Sequence, residues 1–505
     1  MNRLIRLRRL SQLLFLVLFV DIIWSTTYPL TGPLSPEILS KINPLVMVMT
    51  AISARVGLAG LSAALAMIVL TLIFGRFFCG WVCPLGTMID ITARLSRRSR
   101  WRRGVSTRRL RLFKFVVLFL IFCAAALGMQ VIWVFDPMVI MVRFVSLNLI
   151  PAVTQAVDSA FVFAMTALGL RDVLIDVYRG LKASVLGIQV RFFSHAGILF
   201  LFFLLIMGSV ALARRFWCRC VCPLGALYAL VARAAWMRRF VDVCKHCTLC
   251  ISRCRMGAID KDMAYDKGEC ILCMDCVYNC PQHATRFGVI ARRHDLPQQK
   301  MSGISRRNFL FLLALPLIAV GRKAFGAPSA WPGVIRPPGS GCEGKFLDRC
   351  IRCGNCMKVC ITNGLQPLML EEGLEGVWTP QLVPEVGYCE YQCTLCGQVC
   401  PTAAIPRLGL EEKKRTRLGL AVIATSICIP WAYGQECLVC QEHCPIAGKA
   451  IKIKAQRAAS GAVVGAPVVD PLLCVGCGIC QNKCPVRPDR AIRVHPLRTQ
   501  LLPIK

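Results

Sequence analysis

From Cys244 onward the chain sets cysteines at short, nearly fixed intervals, and nothing else in the sequence restricts its folding so tightly. Cys244, Cys247, Cys250 and Cys254 read C-x2-C-x2-C-x3-C. Cys270, Cys273, Cys276 and Cys280 repeat the spacing and add Pro281. It returns at Cys350, Cys353, Cys356 and Cys360, and again at Cys474, Cys477, Cys480 and Cys484. Cys389, Cys393, Cys396 and Cys400 stretch the first gap by one residue. Cys437, Cys440 and Cys444 lack an upstream partner at the usual distance, and Cys428 is the best candidate. Proline follows the last cysteine at Pro281, Pro401, Pro445 and Pro485, whereas Arg255 and Ile361 stand there in two other sets.

This spacing suits a 4Fe–4S cube. A tight loop wraps three thiolates around three corners, and the fourth cysteine reaches across to the neighbouring cube. The rule groups Cys244, Cys247 and Cys250 with Cys280, and Cys270, Cys273 and Cys276 with Cys254. Two clusters are expected in residues 241–295 and up to four in 342–505. Zinc ribbons use CxxC pairs without triple runs closed by C-x3-C-P. Covalent haem needs CxxCH, which is missing, and only His195 lies in an apolar run, so a bis-histidine haem is not expected. There is no nucleotide loop or flavin signature. Thirty-one cysteines in 505 residues otherwise suggest a small disulfide-stapled protein, but this chain is too long and too apolar for that class.

The rest of the chain is membrane-like. Hydrophobic residues make up 56% of it, and four apolar runs have the length of spanning helices: Leu10–Tyr28, Ile52–Phe74, Phe115–Phe135 and Phe192–Ala213. The net charge of +34 would suggest nucleic acid, but the basic residues cluster beside the apolar runs. Membrane orientation explains that placement, because Lys and Arg stay on the cytoplasmic side of inserted helices. The amino terminus, the 75–114 loop and the chain just after Ala213 are therefore assigned to the cytoplasm. Val145–Leu170 is also apolar, but Asp158 and Arg171 bracket its uninterrupted part, so Pro137–Arg191 reads as an amphipathic periplasmic loop. Asp21 and Asp136 lie near the outer face, where an acid can accept protons or simply sit at the interface.

Two of the spans close on matching stretches, FCGWVCPLG at Phe78–Gly86 and WCRCVCPLG at Trp217–Gly225. Cys79 with Cys83, and Cys218 with Cys222, would share a helix face at i and i+4. The following proline would end or kink that helix. Arg76, Arg214 and Arg215 would favour the thiolate. The pairs are open to a redox role, a metal-binding role or a structural one, and their matching positions suggest that they converge in one site. Cys123 reads as packing, and Cys220 and Cys342 have no assigned role.

Between the cysteine-rich regions, Ser305-Arg306-Arg307-Asn308-Phe309-Leu310 fits the twin-arginine export motif. A short apolar stretch, Phe309–Val320, follows, then Arg322 and Lys323. This route moves folded proteins, so clusters can be built before the thiols meet an oxidising compartment. Four segments result: a four-span membrane domain of two repeated hairpins (1–240), a cytoplasmic two-cluster domain (241–295), an internal signal and linker (300–341), and a four-cluster domain, periplasmic by this reading (342–505). The fold class expected is a helical membrane domain with small α+β ferredoxin-like domains.

On these motifs, residues 1–295 resemble the membrane ferredoxin-type protein of periplasmic nitrate reductase systems, NapH, and its methylamine-utilisation counterpart, MauN. Residues 300–505 resemble their periplasmic partner, NapG or MauM. The resemblance implies a quinol dehydrogenase-like module in the bacterial inner membrane. It would take electrons from the quinone pool or a cytoplasmic donor and pass them to a periplasmic reductase or cytochrome. The rival reading is a maturation factor that supplies reductant for cofactor loading of a periplasmic metalloenzyme.

Overall fold

The computed structural model describes residues 2–30, 32, 34–96, 110–182, 191–242, 244–260, 263–289, 333–371, 373–459, 461–497 and 500. The twin-arginine segment at Ser305–Leu310 and its apolar stretch lie outside the described residues. The chain forms two compact units.

The first unit comprises Met1–Ile23, Pro36–Phe144 and Ile198–Gly326. Its helices are shorter than the apolar runs suggest. The first run lies in α1 (Asn2–Trp24). The second is broken: α2 (Pro44–Ala54) ends at Arg55, which adopts a left-handed conformation with φ 53°, and α3 (Leu61–Phe74) starts afresh. The third run yields Phe113–Ala126 and the fourth Ala196–Gly208. A 14-residue helix rises about 21 Å, short of the roughly 30 Å hydrocarbon core. Buried side chains explain the breaks. Leu45, Val46 and Met47 are wholly buried, and the α2 cap is fixed by Asn43, whose side chain accepts from Leu45 and Val46 N–H groups.

Among the described residues one helix is long and apolar enough to cross a membrane, Pro137–Ala167. Much of the stretch expected to be an amphipathic loop is thus helical. A π-turn at Val145–Leu149 keeps the helix continuous, and Asp158 is held by the Tyr178 hydroxyl at 3.0 Å and Lys182 at 3.0 Å. The amphipathic expectation suits only the next helix, Arg171–Leu181, whose apolar positions Val173, Leu174, Val177 and Tyr178 follow helical spacing. Asp136 caps the long helix rather than facing water. It is fully buried and accepts from Met138 N–H, Val139 N–H and the Asn43 amide. Asp21 is exposed.

An insert after Ala232 completes this unit. Strands Arg238–Val241 and Thr285–Gly288 pair antiparallel and bracket the first two cysteine sets. Ala258, Ile259, Met263 and Tyr265 form their small core. This is the α+β arrangement expected of a two-cluster module.

The second unit comprises Trp24–Ser35, Val145–Gly197 and Ala327–Lys505. Three two-stranded antiparallel sheets shape its C-terminal part. In one, Gly419–Ile423 pairs with Ile492–Pro496, so the last strand closes the module around the cysteines from Cys428 to Cys484. The earlier segments are bonded to the cysteine-rich part. Lys358, 2% exposed, donates to the carbonyls of Trp24 at 3.0 Å and Thr26 at 2.6 Å. Asn363 and Gln366 both donate to the Phe192 carbonyl, at 2.7 and 3.0 Å. Leu30 packs on Val359, Leu395 and Val399. Lys358→Ala should remove a buried stem and leave two carbonyls unpartnered, costing about 2–4 kcal/mol. Anaerobic denaturant titration, followed by loss of visible cluster absorbance, should show a C-terminal transition at lower denaturant.

Candidate metal centres

The regular cysteine loops share a backbone device. In each, the residues just before and just after the second cysteine are left-handed: His246 and Thr248, Leu272 and Met274, Arg352 and Gly354, Gly476 and Gly478. Five of these eight are not glycine, all in the first three loops, and each such position costs on the order of 1 kcal/mol. The turn brings three thiols to one side and aims amides at sulfur, as with His246 N–H and Cys244 Sγ at 3.4 Å. The two irregular sets do without it: Thr394 has φ −127° and Leu438 φ −110°. Spacing alone carries no sign of this conformation.

Four cavities of similar size follow. Cys254, Cys270, Cys273 and Cys276 line one of about 370 Å³. Cys350, Cys353, Cys356 and Cys400 line one of about 350 Å³. Cys360 joins Cys389, Cys393 and Cys396 around about 440 Å³. Cys428, Cys437, Cys440 and Cys484 surround about 360 Å³. Each cavity takes three thiols from one run, Cys428 included, and the fourth from the neighbouring run. Cys444 lies in the electrostatic reach of Cys477 together with Cys474. Cys250 feels Cys244 and Cys247 in the same way.

Thiols spread around a cavity suit a cube rather than a point. Among the described residues no three His, Cys, Asp or Glu side chains close on a single metal ion. The residues therefore fit 4Fe–4S clusters, which need four sulfurs on the outside of a cubic core. Burial pushes the Cys270, Cys350 and Cys389 thiols up to about 11, and Cys273, Cys353, Cys440 and Cys477 up to about 12. Cluster ligands are thiolates, so assembly must release protons. Reconstitution with iron and sulfide should be more complete at pH 8.5 than at pH 6.5 (about, respectively), measured as visible absorbance per chain.

The two CxxxCP stretches are built differently from the sequence expectation. Cys79 lies in a short helix, Phe77–Trp81, and Cys83 is the N-cap of the next, Pro84–Leu95. Cys218 lies in a π-turn, Trp217–Val221, and Cys222 caps Pro223–Ala232. The pairs do not share one helix, and each proline starts a helix at its first position instead of ending one. Each capping sulfur accepts an amide: Gly86 N–H to Cys83 at 3.5 Å, Gly225 N–H to Cys222 at 3.3 Å. Burial pushes Cys83 and Cys222 well up, and Cys218 up to about 11, against the pull of Arg215 on Cys83 and of Arg215 and Arg76 on Cys218.

The repeats exchange arginines. Arg215 donates to the carbonyls of Cys79 at 2.8 Å and Gly86 at 3.3 Å, and clasps Asp90 with two bonds of 3.0 and 2.9 Å. Arg76 reaches the other repeat: a Cβ on Gly225 would stand 2.9 Å from its Nη2. Asp90 lies seven residues after Cys83, but Ala229 stands at the matching place after Cys222. Glu269 from the insert supplies the missing carboxylate, 3.0 Å from Arg76 Nη1, and also pairs with Lys114. Arg214 and Arg215 both line a polar cleft with Arg9, Arg94 and Arg253.

The insert is seated directly on the first stretch. A Cβ on Gly80 would lie 2.2 Å from the Ile271 carbonyl oxygen. Trp81 donates to the Leu272 carbonyl at 3.0 Å, and Arg111 to that of Gly257 at 2.8 Å. The Cys270–Cys276 loop thus touches the CxxxCP region, while Cys247 of the other loop is exposed. Of the unassigned thiols, Cys220 is buried, Cys123 is partly exposed on its apolar helix, and Cys342 precedes the helix Glu343–Arg349. His195 sits in a turn with φ 60° ahead of its helix, not within it.

Comparison with known proteins places 4Fe–4S domains along the chain. A family described as "4Fe-4S binding domain" matches residues 56–103 and 195–243. A "4Fe-4S dicluster domain" matches 349–420, and a further "4Fe-4S binding domain" matches 467–488. The methylamine utilization ferredoxin-type protein MauM of Methylophilus methylotrophus is 32% identical over 206 residues, covering 40% of this chain and 89% of that protein. The ferredoxin-type protein NapG of Escherichia coli is 34% identical over 166 residues, 32% of this chain and 71% of that protein. The regulatory protein NosR of Pseudomonas aeruginosa is 26% identical over 209 residues, 41% of this chain but 24% of that protein. No solved structure matches.

Proposed function

The chain belongs to the family of the MauM and NapG ferredoxin-type proteins, and from that footing we propose that it is a membrane-held iron–sulfur relay that takes electrons from quinol and delivers them to a periplasmic reductase or cytochrome. The observation that carries the reading is the composition of the second unit. Its cysteine-rich part is bonded to Trp24, Thr26 and Phe192, which lie in segments that the arginine distribution assigns to the outer side. The insert, by contrast, is clamped by Arg76, Arg111 and Lys114, from the loop assigned to the cytoplasm. In this reading the four apolar runs cross the membrane with help from the turns that flank their short helices, and the twin-arginine segment exports the C-terminal domain with its clusters in place.

The residues divide the work. The six cysteine sets hold the clusters, and the cubes supply one-electron redox chemistry when bound. Exposed Cys247 puts the first cluster of the insert at the solvent edge, where a soluble donor can meet it. The loop of Cys270 and the buried Cys273 and Cys276 leads inward to Gly80, beside Cys79.

Membrane vesicles holding the full chain test this. Adding a quinol analogue without oxygen should bleach the clusters within the mixing time of a turnover assay, and protease added to spheroplasts should cut after residue 332. Clusters that stay oxidised, with a partner enzyme lacking its cofactor in a deletion strain, would establish the maturation role instead. A C-terminal part that resists external protease until the cells are lysed would overturn the periplasmic assignment.

A further inference from the structure

We propose that Cys79, Cys83, Cys218 and Cys222 together hold one further 4Fe–4S cluster where the two repeats cross, with the open edge of the Arg76 guanidinium as its charge partner. The inference goes beyond the relay reading and does not depend on the donor or the direction of electron flow.

The first argument is a count of ligands. Each segment that matches the 4Fe–4S binding family at 56–103 and 195–243 is short of a cube's needs. The first holds only Cys79 and Cys83, and the second holds Cys218, Cys220 and Cys222. Neither can supply four thiolates, so a cluster here requires both. The fold brings them together: Arg215 of the second repeat bonds the Cys79 carbonyl of the first. The Phe78 and Tyr228 rings meet at 5.6 Å, and Arg76 Nη2 lies beside Gly225.

The second argument is buried charge. Arg76 and Lys114 are both 0% exposed and share a single carboxylate, Glu269. Arg215 is neutralised by Asp90, and Arg255 by Asp275. On the Arg76 side Asp266 also acts on Lys114, so what sets Arg76 apart is its unfilled donors. Its Nε and Nη2 have no hydrogen-bond partner, a costly state for a buried guanidinium. A built Cβ on Gly225 lies 2.9 Å from that Nη2 and 3.5 Å from Cys222 Sγ, so the unused edge faces the thiol site. A 4Fe–4S core with four thiolates carries a net negative charge. It would give the guanidinium both a counter-charge and sulfur acceptors.

The third argument is how the sulfurs sit. Cys222 lies in the electrostatic reach of Cys218, Cys79 and Cys83. The two capping sulfurs already accept amides from Gly86 and Gly225. Such N–H···S bonds are among the features that set cluster potentials. Cys220 is the internal control. It is buried next to the same motif, but its charged neighbours are Arg219, Lys114 and Arg111.

The test uses the full chain, purified without oxygen in detergent. Iron and acid-labile sulfide are counted, and reduced samples are titrated potentiometrically by EPR. Cys79→Ser, Cys83→Ser, Cys218→Ser and Cys222→Ser should each lower iron and sulfide by about four per chain. Cys220→Ser should leave both unchanged. Arg76→Gln should keep the full iron count and move one signal to lower potential, leaving the others in place. Unchanged iron in the four serine variants, with zinc or copper falling instead or with a disulfide found by mass, would overturn the proposal. If those variants lose all their iron, Arg76→Gln decides alone, and a set of signals without any shift counts against the site.

Discussion

Cys254→Ser should abolish one cluster and spare its sequence neighbours, because Cys254 faces the Cys270, Cys273 and Cys276 cavity and not its own run. Iron should fall by about four atoms per chain, with one EPR signal gone. The matching variant Cys400→Ser should remove the cluster of Cys350, Cys353 and Cys356, and Cys484→Ser that of Cys428, Cys437 and Cys440. The physical reason is reach. Three thiols within seven residues can close on one side of a cube, while the fourth sits beyond a helical turn that carries it to the next cavity. If Cys254→Ser instead removes the signal that Cys244→Ser removes, each run holds its own cube and the crossing rule fails.

Gly80→Ala should disconnect the insert from the CxxxCP stretch on which it sits. A methyl group there would lie 2.2 Å from the Ile271 carbonyl oxygen, and the obstacle is backbone on both sides. Neither chain can swing a side chain away, so the insert must lift, and with it the Trp81–Leu272 bond at 3.0 Å. Overpacking of this kind costs about 1–3 kcal/mol. The larger effect should be on electron transfer, which depends steeply on distance. Quinol-dependent cluster reduction in vesicles should slow by roughly tenfold or more, with the iron content of the purified chain unchanged. A Gly57→Ala control, where an added Cβ meets nothing within 4 Å, should behave as the unaltered protein. Equal rates for both variants would show that this contact is not on the path.

The asymmetry between the repeats makes the same point about coupling. The first repeat neutralises its visiting arginine with its own Asp90, whereas the second has Ala229 there and borrows Glu269. A Cβ on Gly268 would stand 2.7 Å from the Ala229 carbonyl oxygen. The place vacated by the carboxylate is where the insert docks. The insert is therefore not an appendage: its acidic residue pairs with the buried cations Arg76 and Lys114 of the first unit.

Reading by hydropathy was less dependable. It gave the apolar runs but not their breaks, since composition does not register Arg55 turning left-handed or Asp136 capping a helix from a buried position. Nor does composition register that Asp158, within the apolar part of Pro137–Arg191, is held by Tyr178 and Lys182. The CxxxCP helices failed for a related reason. The i, i+4 rule presumes one unbroken helix, and the proline that was expected to finish it begins another.

What the amino-acid order determined alone was the grouping of cysteines into runs, since ligands around a small rigid cube must come from residues a few ångströms of backbone apart. For Cys244–Cys280 the ferredoxin rule also says which run lends its last thiol to which cavity, but for the four later runs that pairing was decided by the fold. What only the folded chain decided was every partnership across long separations: Arg215 with Cys79, Glu269 with Arg76, Lys358 with Trp24. Those contacts pair groups that no sequence period links. They are selected by burial, where an unmatched charge or an unbonded carbonyl costs so much that the fold must find its complement.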